Sequence, residues 1–211
     1  MRFQRVLVLA PHTDDAELGC GGFMARLVEE KTSVFVAAFS TARESVPEGS
    51  PHDTILREFY RAMAILEVPP DRLFVCDYPV RRFSDHRQDI LEDLRKLRRT
   101  IEPDLILLPS GQDVHQDHQV LHNEGVRAFK DLTVFGYELP WNHLSFRTQA
   151  FVDLKPGHVQ KKWQALQAYR SQIELKRPYF SEDFIQGLAR LRGTQIKTDW
   201  AEAFEVVRVI L

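Results

Sequence analysis

The sequence predicts an α/β fold: a mostly parallel sheet with helices on both faces. Two observations carry this: apolar runs of strand length recur along the chain, and amphipathic stretches of helical period separate them. The first run, Val6–Ala10, is apolar at every position and ends at Pro11, as expected of a strand buried on both sides. Glu17–Glu30 follows with Phe23, Leu27 and Val28 on a helical stripe, and Val34–Phe39 is the second strand. A helix over Ile55–Leu66 aligns Ile55, Phe59, Ala62 and Leu66; after the strand Leu73–Cys76, a helix over Gln88–Ile101 aligns Ile90, Leu94, Leu97 and Ile101. Leu105–Leu108 and Val134–Tyr137 complete the alternation. Ligands of such sheets bind beyond the carboxyl ends of the strands.

Past Pro140 the pattern loosens. Ala150–Leu154 reads as a strand, His158–Ser171 and Ser181–Leu191 as helices, the latter with an imperfect capping box, and Phe204–Leu211 as a final strand. No linker or repeat interrupts the chain, so residues 1–211 are expected to form one domain.

Composition narrows the function. At 211 residues and 44% hydrophobic content the core needs no covalent staples. Twenty-eight Lys and Arg against 30 Asp and Glu create no global field for nucleic acid or an acidic membrane, which favours a small substrate. Cys20 and Cys76 lie in dissimilar settings and suggest no disulfide framework. No apolar run approaches the roughly 20 residues of a membrane span, and Met1 leads straight into a strand, so a cytoplasmic protein is expected.

Two clusters carry chemistry. After the first strand comes Pro11-His12-Thr13-Asp14-Asp15-Ala16-Glu17, then Leu18-Gly19-Cys20-Gly21-Gly22. On a strand-to-helix turn His12 and Asp15 can converge on one point, an imidazole and a carboxylate that suit zinc or another divalent ion, with Asp14 beside them. The glycines do not form G-x-G-x-x-G, and the acids before them would repel a phosphate, which disfavours a nucleotide site. The bland alternative is that Asp14, Asp15 and Glu17 merely complement a helix N-terminus. The second cluster, Ser110-Gly111-Gln112-Asp113-Val114-His115-Gln116-Asp117-His118, follows the fourth strand and faces the same crevice. His118 can complete a His-Asp-His set with open positions for water and substrate, leaving His115 free.

Pro11–Gly22 together with His115-Gln116-Asp117-His118 resembles the LmbE/PIG-L family of metal-dependent N-deacetylases; Ala168-Tyr169-Arg170-Ser171-Gln172 and the C-terminal Trp200–Val206 segment add to the likeness. The resemblance implies a Rossmann-like fold and removal of acetyl groups from N-acetylglucosamine units of sugar conjugates. It implies zinc on His12, Asp15 and His118, with Fe2+ or another divalent ion left open. Asp14 is implied as general base, taking a proton from a zinc-activated water, and a protonated His115 as the group that stabilises the oxyanion, supported by Asp117. The implied partner is a small N-acetylated sugar or conjugate, with no nucleic acid and no membrane span; the oligomeric state stays open. Two positions depart from the pattern: Thr13 replaces the usual proline, and Ile55 stands where a substrate arginine is expected. Arg57 or Arg43 is the candidate substitute, and Trp141 with Asn142 could stack on and hydrogen-bond a sugar. Arg81, Arg82 and Arg87 form a basic patch that suits a substrate anion or a solvated helix start. Another metal-assisted hydrolysis, of a phosphoester or peptide, and a non-enzymatic binding module remain as alternatives.

Overall fold

In the computed structural model, which describes residues 2–46 and 49–210, one seven-stranded sheet organises the chain in the order β3-β2-β1-β4-β5-β7-β6. The strands are β1 (Arg5–His12), β2 (Ser33–Ser40), β3 (Leu73–Val75), β4 (Leu105–Pro109), β5 (Thr133–Tyr137), β6 (Ala150–Asp153) and β7 (Ala201–Arg208). The helices are α1 (Asp15–Glu29), α2 (Thr54–Ile65), α3 (Arg87–Ile101), α4 (Gln116–Ala128), α5 (Pro156–Leu166), α6 (Arg170–Ile173) and α7 (Glu182–Gln195). β1 to β5 pair in parallel, whereas β7 runs antiparallel to both β5 and β6. No helix among the described residues is long and apolar enough to cross a membrane.

The apolar run of β1 is continuous because both faces of the sheet are covered. Val6, Val8 and Ala10 enter one core with Phe23, Met24, Phe59 and Leu166, while Leu7 and Leu9 enter the other with Ile90, Leu94, Leu97 and Phe129. β1 extends past the predicted end at Ala10 to His12, so the strand itself delivers the first histidine to the crevice. The final strand lies at Ala201–Arg208, earlier than predicted; Leu211, its predicted end, is outside the described residues. Residues 158–171 form two helices, α5 and α6, broken around Tyr169, and Ser181 caps α7 by accepting from the Phe184 N–H at 3.4 Å. α4 has no counterpart in the periodicity of the sequence: Gly125 and the polar run from Gln116 to Gln119 blur its stripe.

α1 breaks at Cys20, whose φ of −145° is non-helical. The carboxylate of Glu202 on β7 accepts the freed N–H groups of Gly22 at 2.9 Å and Phe23 at 2.7 Å, and the buried Lys162 ammonium pairs with it at 2.7 Å. Gly19, just before the break, lies against Tyr137: a Cβ there would stand 2.3 Å from the ring. Tyr137 is fully buried and its hydroxyl donates to Leu9 O at 3.0 Å, so the ring has little freedom to move aside. Gly19→Ala is therefore expected to cost about 1–3 kcal/mol of overpacking strain, read as a lower urea midpoint; an unchanged midpoint would mean that the helix shifts freely.

Candidate active site

The carboxyl ends of β1, β4 and β5 deliver the polar side chains to one cleft of about 280 Å³. His12 ends β1, Asp14 and Asp15 open α1, His115 and Asp117–His118 stand at the start of α4, and Trp141–Asn142 follow β5. Asp15 turns back on the strand and accepts the His12 N–H at 2.8 Å. Three donor atoms then form a triangle: His12 Nδ1 to Asp15 Oδ2 is 3.1 Å, His118 Nε2 to Asp15 Oδ2 is 3.3 Å, and His118 Nε2 to His12 Nδ1 is 3.3 Å. Ligands bonded at 2.0–2.1 Å to one tetrahedral ion are about 3.3 Å apart, so this donor set fits a single zinc-sized cation. His12, His115 and His118 also offer donors within 4.8 Å of one another, a looser set. The carboxylate-containing triangle is the tighter one and supplies the negative charge a dication needs.

Each histidine is fixed from behind by a carboxylate. Asp113 Oδ2 lies 2.7 Å from His118 Nδ1, and Asp117 Oδ2 lies 3.1 Å from His12 Nε2. Both contacts leave the other ring nitrogen facing the triangle, the arrangement found behind metal-bound imidazoles. Burial opposes charging these rings, but the hydrogen bonds and charge of their carboxylate neighbours prevail and raise His12 to about 9 and His118 to about 10. Burial likewise opposes ionising Asp15, but the two histidines hold its carboxyl below the usual range. The cluster thus attracts positive charge, whether protons or a cation.

Asp14 stands apart. It occupies the N-cap position of α1 yet its side chain makes no capping hydrogen bond, so the helix-cap reading does not describe it. Its carboxyl lines the cleft, and burial followed by the charge of Asp15 raises it to about 6, against the pull of His12 and Arg177. Glu17 meets no metal-ligand candidate. It is fully buried, burial pushes its carboxyl well up, and Oε1 lies 2.7 Å from the Tyr169 hydroxyl, which is also 2.6 Å from Thr13 O. A single hydroxyl proton serves only one of these oxygens; a neutral Glu17 donating to Tyr169, which donates to Thr13 O, satisfies both.

The expected support of His115 by Asp117 is corrected. The Asp117 carboxylate is taken by His12 and by the N–H groups of Arg81 at 2.6 Å and Phe83 at 3.3 Å, while His115 Nδ1 accepts the backbone N–H of Asp117 at 3.2 Å. That bond leaves the proton of the neutral ring on Nε2. Burial and the charges of His118 and His12 lower His115 to about 4, so the ring is neutral at pH 7, not protonated as expected. Asp113 is the residue the sequence reading passed over. It is 1% exposed, accepts the His115 N–H at 2.8 Å and the Asn142 amide at 3.3 Å, and holds His118; its place five residues before His118 was the available signal.

Arg43 and Arg57 do not reach the cleft: they pair with Asp77 at 3.0 Å and Asp53 at 2.7 Å. Of the basic patch, Arg82 pairs with Asp85 and Arg87 with the buried Glu124, and only Arg81 lines the cleft, with Arg177 opening a second cationic position there. His122 donates to or accepts from no ligand candidate; its Nδ1 lies 2.8 Å from Pro109 O. Trp141 and Asn142 do line the cleft, and the Trp141 ring stacks on Tyr179 with centroids 3.9 Å apart and planes 11° from parallel.

Comparison with known proteins points the same way. The family model described as PIG-L, GlcNAc-PI de-N-acetylase, matches residues 7–129. The uncharacterized deacetylase YaiS of Escherichia coli (strain K12) is 25% identical over 178 residues, 79% of this chain and 90% of YaiS. Among solved structures, the N,N'-diacetylchitobiose deacetylase of Pyrococcus horikoshii superposes with a TM-score of 0.78 at 18% identity, covering 97% of this chain and 84% of that one. GalB, the 4-carboxy-2-hydroxymuconate hydratase of Pseudomonas putida KT2440, gives 0.77 at 20%, covering 99% and 98%. Since a deacetylase and a hydratase share this fold, the fold alone does not name the reaction.

Proposed function

Because the chain belongs to the PIG-L family, whose model is that of a GlcNAc-PI de-N-acetylase, we propose that it is a metal-dependent hydrolase that removes the acetyl group from an N-acetylated amino sugar or its conjugate. The observation that carries the reading is the donor triangle of His12, Asp15 and His118 with a carboxylate beside it, Asp14, that is not spent on capping the helix. A divalent ion held there, zinc being the ion that fits the donor types, supplies Lewis acidity toward water and the amide carbonyl. Asp14 takes the proton of the attacking water and returns it to the leaving amine, a role open to it because no helix N–H occupies its oxygens. His115 donates from Nε2 to the developing oxyanion as a neutral imidazole, its tautomer set by the Asp117 N–H. Asp113 and Asp117 keep the two ligand rings oriented.

A binding module would have no use for a free acid beside the donor triangle, and a phosphoesterase or peptidase reading has no support from the family. Acetate release from N-acetylglucosamine and its conjugates, measured with and without a chelator, tests the proposal; phosphate release from a phosphoester without acetate release from any sugar would reverse it. Asp113→Asn, which removes the charge behind His118 while keeping the shape, is expected to weaken metal binding by roughly 10–100-fold. Dialysis of the variant against a graded series of zinc buffers reads this; wild-type affinity would separate Asp113 from the centre.

A further inference from the structure

At the other end of α4 from the cleft lies a cationic groove. Arg95 and Arg98 of α3, Arg127 of α4, Lys130 just beyond it and Arg208 at the end of β7 line a space of about 650 Å³, and no acid is among the lining residues. β7 pairs Arg208 with Val134 near the start of β5, whereas the cleft sits at the carboxyl ends of the parallel strands. Most of these cations are already answered. Arg95 pairs with Glu92 at 3.1 Å, Arg98 with Asp131 at 2.7 Å, and Arg127 with Glu124, which also serves Arg87; the charge of Lys130 adds to that of Arg98 on Asp131. Arg208 is the exception. It is half-buried, among the described residues its guanidinium has no ion pair and no hydrogen bond, and its Nη1 is closed off from solvent as well.

A β-bulge explains how a charged side chain comes to be there. β7 pairs Phe135 with Val206 but Val134 with Arg208, so Val207 is an extra residue in the ladder. Val207 packs on the core beneath α3 and α4, and Arg208 borders the groove beside Leu91 and Val126 of that same core instead of alternating to the far face. A half-desolvated guanidinium without a counter-charge costs free energy that an anion on its remaining nitrogens offsets. We propose that the groove binds a nucleoside di- or triphosphate, at a site separate from the cleft and independent of the reaction performed there. The phosphates meet Arg208, Lys130 and Arg127, Leu91 and Val126 give the nucleoside an apolar floor, and the guanidinium planes of Arg95 and Arg98 suit a base. The volume falls within the range of small-molecule sites. A longer polyanion fits less well, because Glu92 and Asp131 flank the cations and would repel its further phosphates.

Calorimetric titration of the zinc-loaded protein with ATP, ADP, AMP and pyrophosphate tests this. Saturable, sub-millimolar binding is expected for ATP and ADP, and binding roughly 10-fold or more weaker for AMP, which lacks the second phosphate, and for pyrophosphate, which lacks the nucleoside. Arg208→Gln should weaken ATP binding by about 10–100-fold, and Lys130→Gln by about 2–5-fold. Lys130 is exposed, so its variant keeps the test informative should Arg208→Gln disturb the end of β7. An affinity unchanged in both variants would place the nucleotide on the metal centre and overturn the groove. Three other results would overturn it: no saturable binding of ATP or ADP, pyrophosphate held as tightly as ADP, or a single-stranded RNA oligomer held more tightly than ATP.

Discussion

Chelation is expected to bring acetate release to background, with zinc restoring it to the wild-type protein but not to His118→Ala. The three donors stand 3.1–3.3 Å from one another, and loss of His118 leaves two of them. A Lewis acid contributing several kcal/mol to the transition state corresponds to a loss of roughly 10³-fold or more. His118 is 2% exposed and its carboxylate partner Asp113 is 1% exposed, so the variant also strands a buried charge, at a cost of about 3–5 kcal/mol. The chelator arm separates the two effects, because it removes the ion and leaves the side chains in place. Full turnover by protein that mass spectrometry finds free of metal would sink the proposed centre.

How far the sequence discloses this site depends on the range of the interactions that build it. His12, Asp14 and Asp15 lie within four consecutive residues on a turn that follows an apolar strand, and His115 and His118 lie within four on another, so local patterning brings both sets to the crevice. The partners behind them are long-range. Asp117 is 105 residues from His12, and only the packed fold reveals that its carboxylate turns to that ring instead of the adjacent His115. Asp113 was within reach of the sequence but reads as a loop acid until the His118 ring is seen against it. The two arginine candidates are displaced for different reasons. Arg57 is claimed by Asp53 one helical turn earlier, a local pair the sequence does contain, whereas Arg177 enters the cleft from a C-terminal segment without a periodic signature. Strand positions were the most legible feature, since β1, β2, β4 and β5 are apolar runs largely buried in the sheet; α4 was the least, since its inward face carries Asp117, His118 and Glu124 where a core stripe would be apolar.

Asp14→Asn should lower kcat by about 10²–10⁴-fold while leaving zinc content and thermal stability near those of the wild type. The amide matches the carboxylate in shape but accepts no proton at neutral pH, so the substitution removes the proposed base and little else. Zinc content should hold because Asp14 contributes no atom to the donor triangle, and stability because its side chain forms no capping hydrogen bond with α1. The competing base is His115, which stands in the same cleft. Its Nδ1 is already an acceptor for the Asp117 N–H, its remaining nitrogen then carries the proton, and burial with two cationic neighbours lowers it to about 4. A ring in that state donates a hydrogen bond to an oxyanion but has no free lone pair for the proton of water. His115→Ala is thus expected to impair turnover through the oxyanion, by about 10²–10³-fold as for other single donors. With an activated acetyl ester, whose leaving group needs no proton, Asp14→Asn should still be slow because attack requires the base. Turnover in Asp14→Asn within a few-fold of the wild type on the amide would transfer the proton to another group and leave Asp14 without a catalytic role.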